Sequence, residues 1–185
     1  MPETNLLLPA IANRWSPRTY ADKPIDPETL ATLFEAARWA ASCFGEEPWR
    51  FVIATKADPE KFAQVLNLLV PFNQDWAKNA YVVGITVAKK TFTKNGNPNR
   101  FNLHDAGAAL ATLAIQASAL GLQAHGMGGF DAQKARTEFG VPDDFEIGAA
   151  FAVGYVNGSA APPEGRTRKP LSELVFTPTW GEPAL

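Results

Sequence analysis

The run YVVGITVA, Tyr81 to Ala88, constrains the fold more than any other stretch of the chain. It is almost wholly apolar and rich in β-branched side chains, which predicts a central strand buried on both faces. Arg50 to Thr55 (RFVIAT) and Ile147 to Tyr155 read as two further strands. Helical signals alternate with them. Asp26-Pro27-Glu28 opens a helix, with Asp26 as N-cap and Pro27 at the first helical position, where its missing N–H costs nothing. Leu30, Leu33, Phe34 and Ala37 then mark one buried stripe. Asp58-Pro59-Glu60 repeats the opening, and Phe62, Val65, Leu66, Leu69 and Val70 repeat the stripe. Leu103 to Leu120 is the strongest helix, stopped by Gly121. Its alanines and Gly107 lie on several faces, which predicts close packing on more than one side. A further helix runs from an Asp131 cap to about Phe139 and is closed by Gly140. Read on alternation alone, these elements argue for a parallel sheet.

The length of 185 residues fits one domain, or one subunit of an oligomer, with an ample core. The Lys89 to Asn102 segment is polar, carries Asn95-Gly96 and Asn97-Pro98 turn signals, and reads as a long loop of the kind that is often functional. From Asn157 onward the chain is proline-rich, with Pro162 and Pro163 adjacent, and is expected to be extended and to dock on its own body or on a partner. The formal charge of −2, without a basic block, gives no support to a nucleic-acid surface. No apolar stretch approaches membrane-spanning length. Leu6 to Ala12 imitates a signal-peptidase site, but the run is too short and Glu3 stands where positive charge is required. With the single cysteine, Cys43, this reads as a soluble cytoplasmic protein.

Several chemistries lack their residues. His104 and His125 are the only histidines, and no Cys/His cluster has metal-ligand spacing. Cys43 could meet either histidine as a nucleophile, although a lone cysteine is usually a small buried apolar residue. The G-x-S-x-G elbow, the Walker A loop and the G-x-G-x-x-G loop are absent. Positive charge remains. Arg14 and Arg18 flank Ser16-Pro17 in NRWSPRTY, and Arg166 and Arg168 sit in GRTRKP. Arginine donates two parallel hydrogen bonds to phosphate, and Ser16 adds a donor. The same four arginines are also compatible with solvated surface. The stretch AASCFGEEPWRF, from Ala40 to Phe51, either gathers Ser42, Gly45 and Glu47 around a flat polar heterocycle or merely connects a helix to a strand.

Taken together, these segments resemble the nitroreductase family of flavin-dependent oxidoreductases over nearly the whole chain. RWSPRTY is similar to the family's R-x-S-x-R/K element, and AASCFGEEPWRF to its P-S-S-x-N-x-Q-P-W-x-F element. Asn73, in NQDWAKNAYVVGITV, falls where the family has a flavin-contacting asparagine. DAGAALATLAIQASALGLQAHGMGGFD is similar to its central helix and following glycine-rich turn, and GRTRKPL to its C-terminal basic element. Five motifs in the right order carry the resemblance.

The resemblance implies an α+β fold, with a mixed, mostly antiparallel sheet flanked by helices. It overrides the parallel reading. It further implies an intertwined homodimer with FMN at the interface, and a single domain over residues 1–185 whose tail, from about 157, docks on the partner. By position, Arg14, Ser16, Arg166 and Arg168 would hold the phosphate and ribityl chain. Arg18 would lie near the flavin N1 and C2 carbonyl and favour the charge of the reduced ring. Ala41, Ser42 and Cys43 would reach the flavin from the partner chain, Asn73 would bond its pyrimidine edge, and the main chain of Gly128 or Gly129 would approach N5. Trp15, Gly45, Glu47 and Met127 complete the implied cofactor-contacting set.

The implied activity is hydride transfer from NADH or NADPH through flavin N5 to a nitroaromatic, quinone or enone, with no obligatory protein acid or base. Departures from the pattern stand at Ala41, Cys43, Gly45 and Glu47, and Trp76 replaces a second lysine of some members. Glu47 could face the flavin or pair with Arg50. These changes keep open an alternative, a flavin-binding carrier or regulatory module without efficient turnover. Dehalogenating, heterocycle-dehydrogenating and flavin-fragmenting relatives carry lid insertions or tailored loops that the 89–102 loop does not show.

Overall fold

A computed structural model describes residues 6–157, 162 and 166–185. Glu3, Pro163 and residues 158–161 of the expected extended tail lie outside that set. The elements follow in chain order as α1 (Pro9–Asn13), α2 (Pro27–Arg38), β1 (Trp49–Thr55), α3 (Pro59–Leu66), α4 (Pro71–Ala77), β2 (Val82–Lys89), α5 (Asn102–Ala119), β3 (Leu122–Met127), α6 (Ala132–Glu138) and β4 (Phe145–Tyr155). The caps act as their sequence predicts. Asp26, Asp58 and Asp131 each accept the backbone N–H three residues on, from Thr29, Lys61 and Lys134. Gly121 ends α5 with φ +76° and Gly140 follows α6 with φ +60°, both in the left-handed region.

The strands form one sheet in the order β1-β2-β4-β3, with every pairing antiparallel. The parallel arrangement argued from alternation is therefore corrected. The pattern misleads for a topological reason: β2 and β3 do run in the same direction, joined across α5, but β4 inserts between them and pairs antiparallel with both. The register slips between Ile85 and Val87, where β4 holds an extra residue. Thr86 repairs the break, since its hydroxyl accepts the N–H of Ala149 at 2.9 Å and donates to the Ala149 carbonyl at 3.2 Å.

β2 is buried on both faces. Val83, Ile85 and Val87 enter a core with Phe62, Val65, Leu69, Trp76 and Ala135, under α3, α4 and α6. Val82 and Ala88 enter a second core with Leu33, Leu113, Leu122, Phe151 and Val153, under α2 and α5. Gly84 lies on this second side.

Three further elements depart from the expectations. The stripe through Leu69 and Val70 does not continue one helix: α3 ends at Leu66, and Pro71, which lacks an N–H, starts α4. The segment after α5 is a strand, β3, before it is a glycine turn. α1 is not among the expected elements, although Pro9 opens it at the first helical position. Among the described residues no helix is long and apolar enough to cross a membrane, and no group of His, Cys, Asp and Glu is placed to hold a metal.

Candidate functional site

Two cavities lie against α5, and the sequence-derived residues divide between them. The first, of about 300 Å³, is lined by Arg14 and Ser16, by Gly107, Leu110, Ala111 and Ala114 of α5, and by Ala124 and Gly126 of β3. Small residues create it. A Cβ on Gly107 would meet nothing within 4 Å.

Arg14 stands at this cavity in a crowd of like charge. Burial lowers its pKa first, and the charges of Arg166 and Arg168 lower it further. No carboxylate among the described residues lies within salt-bridge distance of Arg14, Arg18, Arg166 or Arg168. Three mutually repelling guanidinium groups on one small surface favour an anion. Arg166 also has a structural task, because it donates to the carbonyls of Ala12 and Arg14, at 2.6 Å each, and ties the tail to the N-terminal element. Arg168 bonds only its neighbour's carbonyl, that of Thr167 at 2.9 Å, among the described residues.

The backbone that carries Arg14 and Arg18 is held by β3, through residues that the motifs did not reveal. Gln123 accepts the N–H of Trp15 at 3.0 Å and donates to the carbonyl of Asn13 at 3.3 Å. His125 Nδ1 lies 2.7 Å from the Pro17 carbonyl and donates to it. Strand alternation explains the division of labour: Ala124 and Gly126 open the cavity, while Gln123 and His125, between and before them, clamp the arginine element. The alternation in LQAHGM was the signal that could have found them.

His125 also stacks on Trp76, with ring centroids 4.4 Å apart. Trp76 is therefore core and not a cationic substitute for a lysine, and its Nε1 is buried without a partner among the described residues. Burial lowers the pKa of His125, the nearby Arg18 charge adds to that, and the bond to Pro17 opposes both. The unfolded chain, near 6.5, thus takes up a proton before the folded one as pH falls. The stability from neutral His125 is complete above about pH 6.5 and is lost below it. Melting temperatures from pH 7.5 to 5 are expected to fall less steeply in His125→Gln than in the native protein.

The remaining expected residues are placed as follows. Arg18 is exposed, with its guanidinium 5.0 Å from the Phe72 ring centroid. Asn73 lies within α4, and its Nδ2 donates to the Gly129 carbonyl at 3.0 Å. A Cβ on Gly129 would stand 2.9 Å from that same Nδ2, so the close approach allowed by this glycine is to Asn73 and Val70. Gly128 meets no such crowding. The Met127 side chain is buried in the core, which leaves only its main chain for a cofactor.

Ala41, Ser42 and Cys43 line the second cavity, of about 250 Å³, with Phe101, His104 and Asp105. The turn after them is strained: Phe44 and Glu47, neither a glycine, have φ of +54° and +48°. Ser42 supports it by accepting the Glu47 N–H at 3.0 Å. Gly45, with φ +67°, has open space around it, and the pairing of Glu47 with Arg50 is not between side chains. Arg50 donates instead to the Glu47 and Trp49 carbonyls. Asp105, also absent from the motifs, anchors the turn to α5 by accepting the Cys43 N–H at 2.9 Å.

Comparison with known proteins agrees with this fold. The model of the Nitroreductase family matches residues 11–155. A crystal structure of an oxidoreductase containing FMN is 34% identical, covers 94% of this chain and 92% of its own, and superposes with a TM-score of 0.85. A nitroreductase family protein from Clostridium difficile 630 shares the fold, with a TM-score of 0.76 at 24% identity over 94% of this chain and 99% of its own. A Mycolicibacterium smegmatis protein of unassigned function is 39% identical over 92 residues, which are 45% of this chain and 62% of that protein. A Ralstonia nicotianae protein, provisionally named an NADH dehydrogenase/NAD(P)H nitroreductase, is 28% identical over 78% of this chain and 82% of its own. With an antiparallel α+β sheet and a family-model match over residues 11–155, the chain belongs to the nitroreductase family.

Proposed function

We propose that this chain is a homodimeric, FMN-dependent NAD(P)H oxidoreductase that passes electrons to a nitroaromatic, quinone or enone acceptor. The observation that carries the reading is the cluster of Arg14, Arg166 and Arg168 beside the first cavity, with no carboxylate within salt-bridge distance among the described residues. The residues present fit the cofactor. Arg14, Ser16 and Arg168 would hold its phosphate and ribityl chain, with Arg166 adding charge while it braces the N-terminal element. The FMN-containing relative and the NAD(P)H-related name of another support the cofactor and the donor. Bound FMN supplies a ring that accepts a hydride and delivers it to a second substrate.

The two cavities support a dimer. Ala41, Ser42 and Cys43 line a cavity different from that of Arg14, as they would if each subunit lent them to its partner's flavin. The described surface also exposes Leu6, Phe44 and Trp180 at 90% or more, an apolar display that a second copy would cover. The whole chain would act as one domain, with the tail from about residue 157 laid on the partner.

An absorbance spectrum of the purified protein before and after anaerobic NAD(P)H tests the proposal. Flavin bands that bleach rapidly and return with an acceptor are expected. A protein to which added FMN does not bind refutes it, and bound flavin that does not bleach supports the carrier without turnover. Arg18 would tune the bound ring, since a cation beside N1 stabilises the charge gained on reduction. Arg18→Ala is therefore expected to make the flavin midpoint potential more negative while affecting affinity less. An unshifted potential, measured against a reference dye, would remove Arg18 from that role.

A further inference from the structure

The second cavity contains a histidine–carboxylate pair whose histidine has no role in the flavin reading. Asp105 lies in the first turn of α5 with its side chain 3% exposed, whereas that of its neighbour His104 is 76% exposed. One carboxylate oxygen accepts the Cys43 N–H at 2.9 Å, and the other stands 2.9 Å from His104 Nδ1. An ionised carboxylate can only accept, so Nδ1 carries a hydrogen and Nε2 is the nitrogen that loads and releases a proton. His104 lines the cavity shared with Ala41, Ser42 and Cys43, the residues assigned above to the partner's flavin.

We propose that His104 is the proton donor to the second acceptor, with Asp105 as its positioning residue; this rests on the flavin reading above. A quinone is an acceptor of this kind, since it takes a proton on oxygen as well as a hydride. Bound FMN would supply the hydride and both electrons, drawn from NAD(P)H, which would leave as the oxidised nicotinamide. As the acceptor gains a hydride, its oxygen takes the Nε2 proton of the His104 imidazolium, which is left neutral with its Nδ1–H on Asp105 and regains a proton from solvent. One hydride and one proton complete the hydroquinone.

The groups around His104 suit this task. Phe101 presents its ring edge-on to the imidazole with centroids 6.1 Å apart, and Arg100 lies over the Phe101 ring at 4.6 Å. Asp105 from its own helix and Cys43 from the facing turn are the other titratable groups at the cavity. If Asp105 served only to anchor Cys43, an asparagine oxygen would do the same. An asparagine could not, however, hold Nδ1–H, because its NH2 would face that nitrogen.

Stopped-flow measurements on the FMN-loaded protein, with menadione as acceptor, separate flavin reduction from reoxidation. His104→Gln is expected to slow reoxidation about 100-fold more than reduction, the scale of a lost general acid. Free imidazole is expected to restore part of the rate in His104→Ala. Independently of turnover, ¹⁵N spectra of the imidazole in the protein without flavin should show hydrogen on Nδ1, shifted to Nε2 by Asp105→Asn. Equal slowing of both half-reactions by His104→Gln, or a tautomer unmoved by Asp105→Asn, overturns the proposal. A native protein whose flavin is never reduced fails the flavin reading itself, and that failure is visible before any variant is made.

Discussion

Replacing Arg14 by alanine is expected to weaken FMN binding by about 1.5–3 kcal/mol, roughly 10- to 150-fold. The magnitude is that of one charge-assisted phosphate bond. Two circumstances favour a large effect. Arg14 is part-buried, so its charge is less screened than that of an exposed residue, and burial with the Arg166 and Arg168 charges already disfavours its protonated form. An anion relieves that repulsion as well as accepting hydrogen bonds. Arg168→Ala is expected to lose a similar amount. Arg166→Ala is a less clean probe, because it also frees the Ala12 and Arg14 carbonyls and loosens the N-terminal element. Quenching of FMN fluorescence on titration with protein measures all three. Undiminished affinity in both Arg14→Ala and Arg168→Ala would falsify the phosphate clamp.

Gly84→Ala is expected to destabilise the fold by about 3 kcal/mol, the upper part of the range for overpacking a core. The new Cβ would stand 2.7 Å from Phe151 Cζ, 2.7 Å from the Val52 carbonyl oxygen and 2.9 Å from Ile53 Cγ2. A phenyl ring can tilt away, but the carbonyl belongs to the backbone of the paired strand β1, and moving it breaks the ladder. For a chain of this length the melting temperature should fall by roughly 6–12 °C. Gly107→Ala is the control. Its Cβ meets nothing and an alanine favours a helix, so the melting temperature should not fall. Thermal melts of both variants decide the point: equal stability in Gly84→Ala would mean that the close contacts at Gly84 do not constrain the sheet.

Much of the site was readable as types in order but not as neighbours. Arg14 and Arg166 are 152 positions apart, and their proximity depends on a tail that returns to α1. The motifs could name both, while the hydrogen bonds from Arg166 to Ala12 and Arg14 follow from the path of the chain. Gln123 and His125 were invisible for a different reason. Their stretch resembles the approach to a glycine turn, and a residue's side of a strand has no meaning until the strand is recognised. Asp105 was hidden inside the helical motif, since a carboxylate in a first turn is ordinary there. Its partner, the Cys43 N–H, lies 62 positions away.

Local physics determined what local physics can. A missing N–H at Pro27 and Pro59 placed helix starts behind their aspartate caps, glycines with positive φ placed the ends after α5 and α6, and an unbroken apolar run made β2 central. These outcomes depend on interactions within a few residues, so the amino-acid order alone carries them. Strand direction, the insertion of β4 between β2 and β3, and the division of site residues between two cavities depend on contacts between distant segments. Packing decided those, because which face of β2 meets α5 and which meets α3, α4 and α6 is set by how all the apolar stripes can be buried together.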